Sequence, residues 1–389
     1  MYRQAYHGGL ETEALTPECA PIKATQEPTM SESSYLTLHE LVKKANQNLN
    51  YNAWDYLVGA TETETTQRRN RLALDTQAFR PRVLRDVSVV DASTEFLGHR
   101  LRLPVLLAPV GSLELFGPGA GGAAAAAAGQ FGCAHMLSSV SEMSYEEVAK
   151  SAPDAARMFQ LYVNGDARWI DAVFERVITA GFSSIAITVD SSVYSRRERD
   201  IAKRNLRRVT VSGREYQSTF TWKDVARLRT QYDIPLMLKG IGTAEDAQMA
   251  VEHGIDVVYV SNHGGRQLDH GLGCLDVLPE VVKAIAGRAR VIVDGGFFRG
   301  SDIVKAMALG ADLVGLGRLQ CIGLAAGGQQ GLVRVLELLE REVHDCLALL
   351  GVNRWSELDA SYLRQAPAVE QPSALSAFPL LDLSDKSFY

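Results

Sequence analysis

From Leu103 onward the chain alternates short apolar runs with longer stretches of mixed polarity. Eight runs stand out, at 104–109, 134–139, 157–162, 184–190, 236–240, 257–262, 291–296 and 313–318. As a set they are rich in Val, Ile and Leu and too short for helices, and most end in a polar residue or glycine. Near-continuous apolarity of this kind belongs to parallel strands buried on both faces. The stretches between them read as helices. Ala244–Gly254 carries an apolar stripe and closes on glycine, as a crossover helix does. Gly119–Ala128 reads as a close-packed helix, alanine being the best helix former. The pattern predicts an α/β fold, a TIM (β/α)8 barrel. A doubly wound open sheet shares the rhythm, but its glycine fingerprint after the first strand is missing.

Two helical stretches precede the barrel, one opening at Ser34–Val42 and one through 54–58 that breaks at Gly59. Met1 to about Ser34 has no periodicity and is expected to be a mobile tail, leaving 35–389 as one domain with N-terminal helices and a C-terminal tail. The connection from Asp190 to Pro235 exceeds what a strand–helix unit needs. It is predicted to form a lid after strand four.

Composition narrows the class. The chain has 389 residues, 46% hydrophobic and 22% charged, an ordinary globular balance. A net charge of -6 argues against a nucleic-acid partner. No apolar run approaches the ~20 residues of a membrane helix, and no signal pattern opens the chain, so a cytoplasmic protein is expected. Five scattered cysteines without a Cys-x-x-Cys pair suggest reduced thiols, with neither a disulfide frame nor a metal site.

In a barrel of this kind, chemistry sits at the C-terminal ends of strands. Those positions are Ser138, Gln160, Tyr162, Thr188, Asp190, Lys239, Ser261, His263, Arg266, Asp294 and Arg318. The densest signal is Ser261-Asn262-His263-Gly264-Gly265-Arg266-Gln267-Leu268-Asp269. It brings an imidazole base and a planar cation together, with glycines that let the backbone approach a ligand. Arginine pairs with carboxylates bidentately, so a small carboxylic acid is the natural guest. Asp190 is placed to orient His263 and stabilise its protonated form. Asp294-Gly295-Gly296 and Gly317-Arg318 end the seventh and eighth runs, where barrels often hold a phosphate. Lys239 suits either a Schiff base or a cation facing an anionic cofactor.

Together with Phe159-Gln160-Leu161-Tyr162, Thr188-Val189-Asp190 and Leu238-Lys239-Gly240, these motifs resemble the FMN-dependent L-2-hydroxy acid oxidase and dehydrogenase family. The resemblance spans about Tyr35 to Leu350. It implies FMN at the barrel mouth, His263 as the base, Asp190 as its partner, and Arg266 with Arg197 clamping the substrate carboxylate. By the same resemblance Tyr56 touches that carboxylate and Tyr162 a substrate oxygen, while Lys239 faces the reduced flavin. Pro109, Val110, Gly111, Ser138, Gln160 and Thr188 match positions lining the isoalloxazine, with Ser261 close by. Asp294, Gly295, Gly296, Gly317 and Arg318 match the ribityl and phosphate site. Family analogy adds a homotetramer. Other readings are a flavin barrel like type 2 isopentenyl diphosphate isomerase and a non-catalytic FMN- or metabolite-binding protein.

The chain departs from the family pattern at four places. Phe298 stands where many members carry arginine, so a phosphate contact is either lost or passed to Arg299. Val140 replaces a tryptophan of some members, implying a different or wider pocket. Gly111 replaces a frequent alanine, which leaves the electron acceptor open. The lid after Arg197 is shorter than in most relatives; its basic residues Lys203, Arg204, Arg207 and Arg208 read as a solvated face.

Overall fold

Each of the eight apolar runs coincides with one strand, and three of these strands extend one residue beyond their run. They are β1 (Val105–Leu107), β2 (Ala134–Ser138), β3 (Ala156–Leu161), β4 (Ile185–Thr188), β5 (Leu236–Ile241), β6 (Val257–Val260), β7 (Arg290–Val293) and β8 (Leu313–Leu316). All pair in parallel, and β8 returns to β1 through Val314 opposite Val105, closing the barrel. The open-sheet alternative is thereby excluded. The structure, a computed structural model, describes residues 35–153, 155–204 and 214–384. The predicted tail, Cys19, Arg207 and Arg208 lie outside the described residues. Leu36–Tyr389 forms one compact unit.

The strand period of two explains why an apolar barrel carries a polar mouth. Leu106, Met136, Met158, Ala186, Met237, Tyr259 and Ile292 belong to one buried cluster inside the barrel. Two residues further along each strand, on the same face, come Ala108, Ser138, Gln160, Thr188, Lys239, Ser261 and Asp294. The interior therefore changes from hydrocarbon to hydrogen-bonding groups within one step of the pleat. At the other end, the hairpin of Thr94–Phe96 and His99–Leu101 inserts Phe96 and Leu101 into the cluster and plugs the barrel.

Among the described residues three helices precede the barrel: α1 (Leu38–Asn48), α2 (Tyr51–Val58) and α3 (Thr65–Asp75). Thr37 and Glu40 form a reciprocal capping box that fixes the start of α1. The sequence pattern did not reveal α3, because its buried face is mostly polar. Thr66, Gln67, Asn70 and Arg71 are buried there; Thr66, Asn70 and Arg71 bond to the loops after β6 and β7 and Gln67 to the Val58 carbonyl, instead of packing as a stripe. The long connection after β4 carries two short helices, Glu198–Ala202 and Arg214–Thr219, separated by residues outside the described set. Among the described residues no helix is long and apolar enough to cross a membrane.

Candidate active site

Asp190 follows β4 and His263 follows β6, and the barrel brings them together. His263 Nδ1 lies 3.0 Å from Asp190 Oδ1, and its Nε2 lies 2.9 Å from the Tyr162 hydroxyl. Burial pulls the Asp190 carboxyl upward, but its interaction with His263, which bonds to it, and the charge of Lys239 outweigh that and hold the group below its ordinary value. An ionised carboxylate only accepts, so Nδ1 carries the ring proton and Nε2 is the accepting nitrogen. Burial pushes His263 below its ordinary value although Asp190 pulls the other way, so the imidazole is neutral near pH 7. Burial, then the Asp190 charge, raises the Tyr162 phenol, which stays a donor. Gly240, at φ +111°, leaves room for this pair: a Cβ there would sit 2.6 Å from Asp190 Cβ.

The glycines beside the base serve packing. A Cβ on Gly265 would lie 2.6 Å from the Gln67 backbone nitrogen on α3, and one on Gly264 would lie 2.8 Å from Arg318 Nη1. Gly264 also lines the cavity, where its backbone can approach a ligand as the sequence leads one to expect. Asn70 and Asn262 exchange side-chain hydrogen bonds at 2.8 and 2.7 Å and lock α3 to the loop. Asp269, the last residue of the motif, accepts from the Thr63 hydroxyl at 2.7 Å and from the Thr63 and Thr66 backbone amides at 3.0 and 2.8 Å. Against the upward pull of burial, those bonds hold it well below the usual carboxylate range.

The three arginines differ in what they leave available. Arg266 Nη1 donates to the carbonyls of Tyr56 and Gly59 at 2.8 and 2.7 Å, and its guanidinium lies 4.4 Å from the Tyr56 ring centroid. Its Nη2 is buried with no hydrogen-bond partner, and so is Nε of Arg197. Burial and the charge of Arg197 lower the Arg266 pKa. Arg318 donates instead to the carbonyls of Leu57, Gly264 and Gly59 at 2.9, 3.0 and 2.9 Å. Burial and the Arg266 charge push it down to about 9, still cationic at neutral pH.

All of these arginines line one cavity of about 390 Å³, within the range of cofactor-sized clefts. It runs from Tyr56, Tyr162 and His263 past Pro109, Val110, Gly111 and Lys239 to Asp294, Gly295, Gly296 and Gly317. Ser138, Gln160, Thr188 and Ser261 are buried in two hydrogen-bonded chains. Ser138 donates to Gln160 at 2.7 Å, and Gln160 donates to Thr188 at 2.8 Å. Lys239 donates to Ser261 at 3.0 Å, and Ser261 donates to Asp294 at 2.6 Å. Lys239 is therefore a fixed, buried cation at the cavity wall.

The two predicted phosphate loops are not alike. After β7, the amides of Phe298 and Arg299 are taken by Asp302, and that of Gly300 by Glu342. Arg299 itself pairs with Glu342 at 2.5 Å, so it does not take over a phosphate contact. Phe298 instead packs edge-on against Phe378, with ring centroids 5.5 Å apart. After β8, a Cβ on Gly317 would meet nothing within 4 Å, and the helix Arg318–Leu350 starts there against the cavity. Open space beside a helix N-terminus suits an anionic tail, and the buried Lys239 suits an electron-rich ring. The residues present fit FMN.

The sequence reading missed Gln217. From the helix Arg214–Thr219 it accepts from the Val163 amide at 2.7 Å and donates to the Thr188 carbonyl at 2.9 Å, tying the lid to two strand ends. It sits in a polar segment with no motif around it, so nothing local marked it.

Comparison with known proteins agrees with this geometry. The chain matches the FMN-dependent dehydrogenase family over residues 45–212 and 202–365. It is 38% identical over 362 residues to the L-lactate oxidase of Nostoc sp., covering 85% of this chain and 98% of that protein. It is 37% identical over 343 residues to the glycolate oxidase of Spinacia oleracea, covering 82% and 93%. The crystal structure of a mandelate oxidase superposes with a TM-score of 0.80 at 35% identity, covering 87% of this chain and all of that one. The chain belongs to the FMN-dependent dehydrogenase family. It is an oxidoreductase of the (β/α)8 class whose cofactor is FMN.

Proposed function

We propose that this chain oxidises an L-2-hydroxy acid to the 2-oxo acid and passes the electrons to dioxygen. One observation carries the reading: a neutral imidazole bonded to an ionised carboxylate shares its cavity with two guanidinium groups that keep buried donors unpaired. Buried cationic donors without partners are costly unless a ligand supplies an anion. A substrate carboxylate held by Arg266 and Arg197 puts the 2-hydroxyl near His263 Nε2, which takes up one of the two protons released. Asp190 stabilises the imidazolium that results. When substrate is present the Tyr162 hydroxyl turns from that nitrogen to the substrate oxygen and donates there, freeing Nε2 to accept, and Tyr56 braces the Arg266 guanidinium. FMN, when bound, would accept the two electrons together with the other proton, and dioxygen would then be reduced to hydrogen peroxide. Lys239 holds positive charge at the cavity wall throughout. The relatives named as oxidases support dioxygen as acceptor. The reading extends to a homotetramer, by family analogy.

Anaerobic titration of the yellow holoprotein with lactate, glycolate and mandelate tests the proposal. Bleaching of the flavin followed by return of colour on admitting air is expected. Persistent colour across a broad panel of 2-hydroxy acids would favour a non-catalytic FMN-binding protein. Reoxidation by quinone or dye but not air would overturn the choice of acceptor.

A further inference from the structure

The cavity does not stop at the base and clamp. Gln160 and Tyr162 face the barrel interior and its mouth, so the alternate residues Leu161 and Val163 face the surrounding helices. Both nevertheless line the same cavity. The space must therefore leave the barrel mouth and continue outward beside the end of β3. Its far walls are Tyr145, at the start of the helix Tyr145–Ser151, and Trp169 and Val173, one turn apart on the helix Ala167–Thr179.

The walls of this arm are fixed. Tyr145 packs edge-on against Phe159 with centroids 5.1 Å apart, and Arg176 lies 4.8 Å over its other face. Trp169 lies so close over Gly165 that a Cβ there would be 2.4 Å from the indole. Val140, half-exposed, stands at the entrance. A Cβ on Gly111 would be 2.6 Å from a Val140 methyl, so glycine at 111 and valine at 140 fit as a pair. The charged groups lining the cavity, Arg197, Lys239, His263, Arg266, Asp294 and Arg318, come from β5 and from the segments after β4, β6, β7 and β8, none of them from β3 or the two helices of the arm. Two uncharged amides, Asn164 and Gln217, also line the cavity, and that of Gln217 is committed to backbone at both ends.

We infer that this arm receives the side chain of the substrate, and that the preferred substrates are 2-hydroxy acids with an extended apolar or aromatic side chain. The inference rests on the proposed carboxylate clamp and names what lies beyond it. A second carboxylate or an amine on the side chain finds no counter-charge in the arm, so 2-hydroxy dicarboxylic acids are disfavoured.

The test is a binding titration that needs no turnover. The oxidised holoprotein is titrated with glyoxylate, pyruvate, 2-oxohexanoate, benzoylformate and 2-oxoglutarate while the flavin spectrum is followed. Affinity should rise with apolar side-chain size, benzoylformate and 2-oxohexanoate binding about tenfold or more tighter than glyoxylate. 2-Oxoglutarate should bind more weakly than 2-oxohexanoate. Val140→Trp, which fills the entrance, should reduce or reverse the preference for the large acids. Flat or falling affinity along the wild-type series would overturn the inference even if the variant failed to fold. Large acids bound as tightly by a folded Val140→Trp would overturn it too. If no 2-oxo acid perturbs the flavin, the carboxylate clamp fails, a different result from small acids binding best.

Discussion

Two histidines show how much the surroundings decide. His263 at the barrel mouth has one ring nitrogen on Asp190 and the other on Tyr162, and it opens onto the cavity. His135, in the middle of β2, is fully buried, and neither of its ring nitrogens has a hydrogen-bond partner. Burial lowers both. Only His263 has a carboxylate to stabilise it once a proton arrives, so only His263 can cycle. The arginines repeat the contrast. Arg266 keeps a buried donor for a guest, whereas Arg318 has Nε, Nη1 and Nη2 all on backbone carbonyls. Type and burial are shared within each pair; availability is not.

The contrast breaks most readily at the base. His263→Ala should retain FMN but slow anaerobic flavin reduction by about 10²–10⁴-fold, measured by stopped flow. In the wild type, reduction should fall as pH drops below 6.5, because the protonated imidazole cannot take a proton. Asp190→Asn should move that limb to still lower pH, since the carboxylate that raises the histidine is gone. An unchanged limb would remove Asp190 from its role.

The two arginines should separate next. Arg266→Met should weaken binding of 2-oxo acids about tenfold or more while the holoprotein keeps its FMN. Arg318→Met leaves buried carbonyls of Leu57, Gly59 and Gly264 without donors. It should cost about 3 kcal/mol in urea unfolding, with acid binding hardly changed in the protein that remains folded. Equal effects of the two changes on acid binding would erase the distinction.

The smallest effect belongs to His135. Burial holds it at about 4 in the folded protein against an ordinary 6.5, so the unfolded chain binds the extra proton between those values. Its contribution to stability is therefore full above pH 6.5 and is lost as pH falls toward 4. The loss should reach about 2 kcal/mol at pH 5, and His135→Leu should flatten that slope in denaturant titrations.

The eight strands were legible because parallel strands buried on both faces need unbroken apolar residues, and the mouth was legible because polar residues end those runs. α3 was not, since a helix buried through Asn70 and Arg71 has no apolar stripe to reveal it. Nor was the reason for Gly264 and Gly265. The sequence marks a glycine but not the neighbour that crowds it, here Arg318 and the backbone of α3.

The sequence by itself determined the barrel, the family and the set of ionisable groups at the strand ends, because strand periodicity and motif order are local properties of the chain. Tertiary structure alone decided which arginines keep a free donor, which phosphate loop is open, and where the cavity leads beyond Val163. Each of those depends on groups far apart in the chain meeting in space: Arg318 reaches the carbonyl of Leu57, and Gln217 bonds to the Val163 amide and the Thr188 carbonyl. Hydrogen bonds and steric exclusion act over a few ångströms of space, whatever the distance along the chain.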